Sequence, residues 1–147
     1  MRKILVTVLL MAAGLVALTP AAAPAATGSG LVAKPATVDF HSKHVGTENY
    51  RGTKITNRTG AAVRLVVSAG LPDDFGFGLM PGSDCPVFSP GDVLAPGDSC
   101  DAVVRFSPTE GFLGWPAVGE LIATATNPLT GEPVDELHIP VYGKAVP

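Results

Sequence analysis

Leu94-Ala95-Pro96-Gly97-Asp98-Ser99-Cys100-Asp101-Ala102-Val103-Val104-Arg105-Phe106-Ser107-Pro108 reads as a turn, a cysteine, a strand and a stop. Pro96-Gly97 is turn chemistry, because proline presets φ and glycine accepts a positive one. From Cys100 onward, Cys100, Ala102, Val104 and Phe106 alternate with Asp101, Val103 and Arg105. A period of two marks a strand with one buried face. Pro108 lacks a backbone donor and ends it. Cys85, upstream, is available to tie this strand to the loop before it.

Working outward, similar alternations recur on both sides. Val38 and Phe40 share a face after Pro35, and the chain then runs extended to a turn at Gly46. Thr53 and Ile55 face inward opposite Lys54 and Thr56. After the turn cluster Asn57-Arg58-Thr59-Gly60, Val63, Leu65 and Val67 do the same opposite Arg64. These two segments are expected to pair as a hairpin. Phe75, Phe77 and Leu79 alternate within a glycine-rich stretch that permits a short, loose strand. Gly119, Leu121, Ala123 and Ala125 form the next face. Leu137, Ile139 and Val141 form the last, across the hairpin turn Asn127–Pro133. Pro140 inside that strand predicts an edge position or a bulge. The result is seven to eight short strands with turn signals about every 8 to 15 residues and no convincing helical period. The expected fold is all-β, an antiparallel β-sandwich.

The first residues have a different character. Arg2 and Lys3 precede an apolar run from Ile4 to Leu18, followed by the small residues Ala21 to Ala26. This is the pattern of a secretory signal peptide, with Ala23-Pro24-Ala25 as its cleavage site. Cleavage after Ala23 is the near alternative. The run is short of the roughly 20 residues needed to cross a bilayer, so no stable membrane insertion is expected after cleavage. The chain divides into a signal at 1–25, a flexible lead at 26–34 and one domain at 35–147, a length suited to one core. The mean hydropathy of +0.34 owes part of its value to the signal segment.

The formal net charge is −3, and removing Arg2 and Lys3 leaves eight basic residues against 13 acidic ones. No basic footprint for nucleic acid is present. Two cysteines in an exported chain favour a disulfide, with a redox pair or half a metal site as the alternatives. The closed loop would be worth about 3 kcal/mol in the chain-entropy model.

Several pieces together resemble the choice-of-anchor D domains, relatives of the abnormal-spindle and Hydin type of immunoglobulin-like domain. They are Val38-Asp39-Phe40, Val45-Gly46-Thr47, Ile55-Thr56-Asn57 with Gly60, and Ile139-Pro140-Val141-Tyr142-Gly143. The densest match is Cys85 followed by Leu94–Cys100, Val104–Pro108 and Gly111. The resemblance implies an immunoglobulin-like sandwich, a Cys85–Cys100 bridge and no catalysis. The Asn57–Gly60 turn is one residue longer than the usual asparagine-x-glycine. The final residues Tyr142–Pro147 carry no sorting motif or hydrophobic tail, so the anchor of the family's name is missing from them.

Chemistry-bearing residues offer little. His41 and His44 point to opposite sides of an extended segment, and His138 is far off in sequence. Asp73, Asp74, Asp84, Asp92, Asp98 and Asp101 are scattered through loops without a calcium-binding spacing. No nucleophile motif, zinc-binding motif or phosphate loop occurs, so neither an enzyme nor a cofactor is expected. Asn57-Arg58-Thr59 is a glycosylation sequon, but Asn57 is also the asparagine the sandwich turn requires. Trp115, with Tyr50 and Phe112, forms either an exposed aromatic patch or part of the core.

The sequence therefore predicts a non-catalytic, exported module, extracellular or in the cell envelope. It would bind a protein or cell-envelope component through loops or an edge strand. Phe75, Phe77, Asp84, Phe112 and Trp115 are the candidate contact residues. A purely structural role and a calcium-dependent carbohydrate binder are the alternatives.

Overall fold

Turn residues cut the chain into strands, and each strand turns its apolar set one way. In a computed structural model, residues 30–80, 84–85 and 93–147 are described. The signal segment at 1–25 and the first part of the lead, 26–29, lie outside the described residues. Among the described residues nine strands are present: β1 Gly30–Lys34, β2 Val38–His44, β3 Asn49–Arg58, β4 Val63–Gly70, β5 Phe77–Leu79, β6 Val93–Leu94, β7 Ser99–Phe106, β8 Pro116–Thr126 and β9 Pro133–Val146. They form two sheets, ordered β1-β3-β7-β5 and β2-β9-β8-β4-β6. The sheets face each other across a core that includes Phe40, Ile55, Leu65, Val104, Phe106, Leu121 and Ile139.

The opening stretch folds as its pattern requires. Cys100, Ala102, Val104 and Phe106 are all buried in β7. Phe106 sits in an aromatic cluster, 5.3 Å from Phe40 and 4.6 Å from Phe77 between ring centroids. Ring pairs at these separations add to simple area burial. Gly143 makes room for Phe106, since a Cβ there would stand 2.7 Å from the ring. The Cys85–Cys100 disulfide is formed, with the Cα atoms 4.9 Å apart.

Four expectations are corrected. The lead over 26–34 contains β1, whose Leu31 and Ala33 are buried against the core. Asp135 fastens it, accepting from the Leu31 amide at 2.5 Å and so linking β1 to β9 of the other sheet. The second correction concerns β3 and β4, which do not pair as a hairpin. β3 pairs with β1 and β7, whereas β4 pairs with β6 and β8. Alternation marks a buried face, and two strands facing each other across a core satisfy it as well as two neighbours in one sheet.

The third correction is Pro140. It lies in β9, which has β8 on one side and β2 on the other, and the β8–β9 register runs through it unbroken. The parallel β2–β9 ladder starts only at Val38↔Val141. Pro140 is thus flanked on one side alone, where a missing donor can be tolerated. Parallel pairing of β2 with β9 also departs from the purely antiparallel expectation. A register shift between Asp39 and Ser42 interrupts β2, with His41 at φ 56°. Asp39 holds this bulge by accepting from the His41 amide at 2.7 Å.

Candidate functional site

Two connections meet at one end of the sandwich. After Pro72 the chain makes a single 3₁₀ turn, Asp73–Phe75, closed by Gly76 at φ 84°. The Gly76 carbonyl accepts from the Ser107 amide at 2.8 Å. A Cβ on Gly76 would lie 1.9 Å from the Ser107 carbonyl oxygen, so only glycine permits this approach. The second connection is the 3₁₀ turn Glu110–Phe112. It is held where the Gly114 amide donates to the Ala145 carbonyl at 3.0 Å, and where Trp115 donates to Phe112 at 3.1 Å. Pro108, at its start, accepts from the Gly46 amide at 3.2 Å.

This anchoring brings Phe75 and Phe112 together, with ring centroids 4.1 Å apart and planes at 31°. Both rings are half-buried. Trp115 follows on the same loop with 66% of its surface exposed, and Leu113 is 40% exposed. Trp115 is exposed and is not part of the core.

The other candidates lie elsewhere. Phe77 is buried among Phe40 and Phe106 and is core, because the strand that starts at Phe77 turns its first side chain inward. Asp84 is exposed, but the next residue, Cys85, donates to the Asp101 carbonyl. Phe77 pairs with Phe106, five residues further along β7, so Asp84 stands about 16 Å from the aromatic end by strand rise. Phe75 and Asp84 therefore do not form one patch. Tyr50 is exposed on the outer face of the four-stranded sheet, opposite Arg105 in the β3–β7 register.

Asn57 is fully buried. Its amide donates to the carbonyls of Ala61 at 2.8 Å and Leu94 at 2.9 Å. Its Oδ1 accepts from the Thr59 amide and hydroxyl. All of its hydrogen-bonding capacity is committed to the β3–β4 corner, so the sequon reading gives way to the structural one.

Two polar clusters were invisible in the sequence because each depends on strand register. Glu48 accepts from the Tyr50 hydroxyl at 2.8 Å and pairs with Arg105 at 3.6 Å. The hydrogen bond to Glu48 raises the Tyr50 pKa above its ordinary value. On the opposite sheet His138 lies 3.0 Å from Glu120 through Nδ1 and 3.0 Å from Glu136 through Nε2. Hydrogen bonds to Glu120 and then Glu136 raise the His138 pKa. His41 pairs with Asp39, and His44 reaches the Pro147 carbonyl, so the three histidines serve separate neighbourhoods. Among the described residues no group of three or more His, Cys, Asp or Glu is placed to hold a metal ion. Asp92 lies outside those residues.

The Phe75–Phe112 end gathers aromatic and aliphatic side chains, with the exposed acids Asp73, Asp74 and Glu110 in the same two turns.

Solved structures carry the same architecture. The chain is similar to the ASH / PapD-like domain 7 of human CEP192, with 11% identity over 93% of this chain and 96% of that one and a TM-score of 0.52. It is similar to a Porphyromonas gingivalis W83 protein of unknown function, with 18% identity, a TM-score of 0.54 and coverage of 85% and 50%. It also matches part of the secreted serine protease VesC from Vibrio cholerae at 21% identity and a TM-score of 0.49. There it covers 73% of this chain but spans only 21% of the protease. The fold is thus an immunoglobulin-like β-sandwich. No family model and no curated protein matches the chain. Among the described residues no helix is long and apolar enough to cross a membrane.

Proposed function

We propose that the chain is a non-catalytic, exported immunoglobulin-like module of the choice-of-anchor D type. It engages a protein or cell-envelope partner through the loops around Phe75, Phe112 and Trp115. The observation that carries this reading is Trp115, 66% exposed on a backbone tied down on both sides. Exposed tryptophan on a rigid loop is the side chain that most often anchors an interface, because it contributes a large contact at little entropic cost. The neighbouring Phe75–Phe112 pair supports that loop from beneath. Export is supported by the signal-like residues 1–25 and by a disulfide, which persists in oxidising compartments.

The test is capture from cell-envelope extract by the wild-type chain and by Trp115→Ala. A saturable partner that the variant loses, with its thermal melt unchanged, supports the reading. Equal capture by both, or none by either, overturns it and leaves a purely structural role.

A further inference from the structure

The two outer faces of the sandwich differ in charge. On the four-stranded sheet, Lys34, Lys54, Arg58 and Arg105 alternate with buried neighbours and point outward. Asp101 is the acid among them, and Glu48 reaches Arg105 from the preceding turn. On the five-stranded sheet the same alternation sets Arg64, Lys144 and His138 against Asp39, Glu120 and Glu136, an even balance. In a chain of net charge −3, one sheet face is cationic.

Ion pairs within the fold account for Lys54 and Arg105 and leave Lys34 and Arg58 without an acidic partner among the described residues. The β1–β3 register places Lys34 directly opposite Lys54. Like charges facing each other across an antiparallel pair are destabilising. Asp101 lies 3.7 Å from Lys54 on its other side, and no ion pair joins Lys34 among the described residues. Arg105 Nε, close above Gly78, has no hydrogen-bond partner.

The cations are also laid out in a line. Tyr50, Lys54 and Arg58 recur at four-residue intervals on one face of β3, about 13 Å apart by strand rise. Gly52, Thr56 and Ser99 lie between and beside them, so the floor of the strip is low and partly hydroxylated.

We propose that this face docks a linear carboxylated polysaccharide. Widely spaced cations match a polymer that carries one carboxylate per sugar or fewer. The exposed Tyr50 ring offers an amphipathic platform for a sugar face, and the hydroxyls accept and donate to its alcohols. A nucleic acid is the weaker match, because its dense charge calls for a basic domain and the sequence pI is about 5.5. This surface is separate from the Trp115 loops, so either reading can fail without the other.

The test is titration with polygalacturonate, with uncharged dextran and duplex DNA alongside. The triple variant Lys34→Gln/Lys54→Gln/Arg58→Gln is compared with Arg64→Gln/Lys144→Gln on the opposite face and with Trp115→Ala. We expect saturable polygalacturonate binding that weakens between about 50 and 200 mM salt, falls about tenfold or more in the triple variant and is kept in the other two. A cooperative thermal melt shows that the triple variant folds; it removes the Lys34–Lys54 repulsion together with the exposed Lys54–Asp101 pair. Absence of polygalacturonate binding, equal binding of dextran, or an unaffected triple variant overturns the proposal. Tighter binding of the DNA overturns the choice of polysaccharide.

Discussion

The Asn57 amide donates to the Leu94 carbonyl at 2.9 Å, joining the end of β3 in one sheet to β6 in the other. The same residue's backbone binds the Pro96-Gly97 turn twice: Asn57 donates to Asp98 at 2.9 Å and accepts from Gly97 at 2.8 Å. One buried asparagine thus fixes both the corner between sheets and the turn that launches β7. Asn57→Ala takes the Asn57 donor from the Leu94 carbonyl at the buried corner, while Ala61 keeps the Thr59 hydroxyl at 3.0 Å, and a buried unmet group costs about 1–3 kcal/mol. A loss of about 3 kcal/mol in denaturant unfolding is expected. Asn57→Asp replaces the donor with an acceptor and is expected to lose at least as much at neutral pH. A change below about 0.5 kcal/mol for either variant would show that the corner is held by other means.

The Cys85–Cys100 bridge ties Cys85 to β7 across a sequence separation of 15. Thiol titration of the folded, exported chain should detect no free cysteine. Cys100→Ser should lower stability by about 2–5 kcal/mol, the range for a small secreted domain. Two titratable thiols in the folded wild type would contradict the bridge.

Glycine is required at Gly76 for two reasons and at Gly97 for one. Both have positive φ, at 84° and 88°, but only Gly76 lies against other backbone atoms. Gly97→Ala should cost about 1–2 kcal/mol, the cost of the left-handed backbone alone. Gly76→Ala should cost more and should disturb the Phe75–Phe112 contact, read as changed ring shifts in an NMR spectrum. Equal losses for the two variants would remove the steric account.

Donating to Glu120 and Glu136 together requires His138 to be protonated, since neutral imidazole has one donor. Its pKa in the folded chain is therefore raised above the ordinary 6.5. The stabilisation from this raised pKa is full below the unfolded value and is lost as pH rises through the folded one. An NMR titration should place His138 above a denatured control. Glu120→Gln should lower the midpoint, and Glu136→Gln should lower it less. A wild-type midpoint at or below the control would contradict the bridging geometry.

Strands were legible in the sequence wherever one face is buried, as at Val63, Leu65 and Val67 or at Cys100 to Phe106. Their partners were not, because alternation gives a strand its face and says nothing of its neighbour. The supposed β3–β4 hairpin and the unexpected parallel β2–β9 pair share that cause. β1 was hidden because Gly30-Leu31-Val32-Ala33-Lys34 is short and mixes outward Val32 with inward Leu31 and Ala33. At the candidate site, Phe75, Phe112 and Trp115 were readable as aromatic residues in glycine-rich loops. Their meeting depends on Gly76 and on the Ala145 carbonyl, contacts far away in sequence. Phe77 was misplaced because a three-residue strand leaves too little alternation to set its face.

Among the described residues, every border of the two sheets is short or broken. The four-stranded sheet is flanked by β1 and the three-residue β5, and the five-stranded one by the two-residue β6 and by β2 with its bulge at His41. Flat, long borders are the templates on which β-proteins polymerise, and bulges and short strands deny a neighbour that template. The Asp39–His41 clamp therefore keeps the β2 border from presenting a flat template to an added strand. Straightening β2 at this point, for example by deleting His41, would favour intermolecular strand addition and fibrils at high protein concentration.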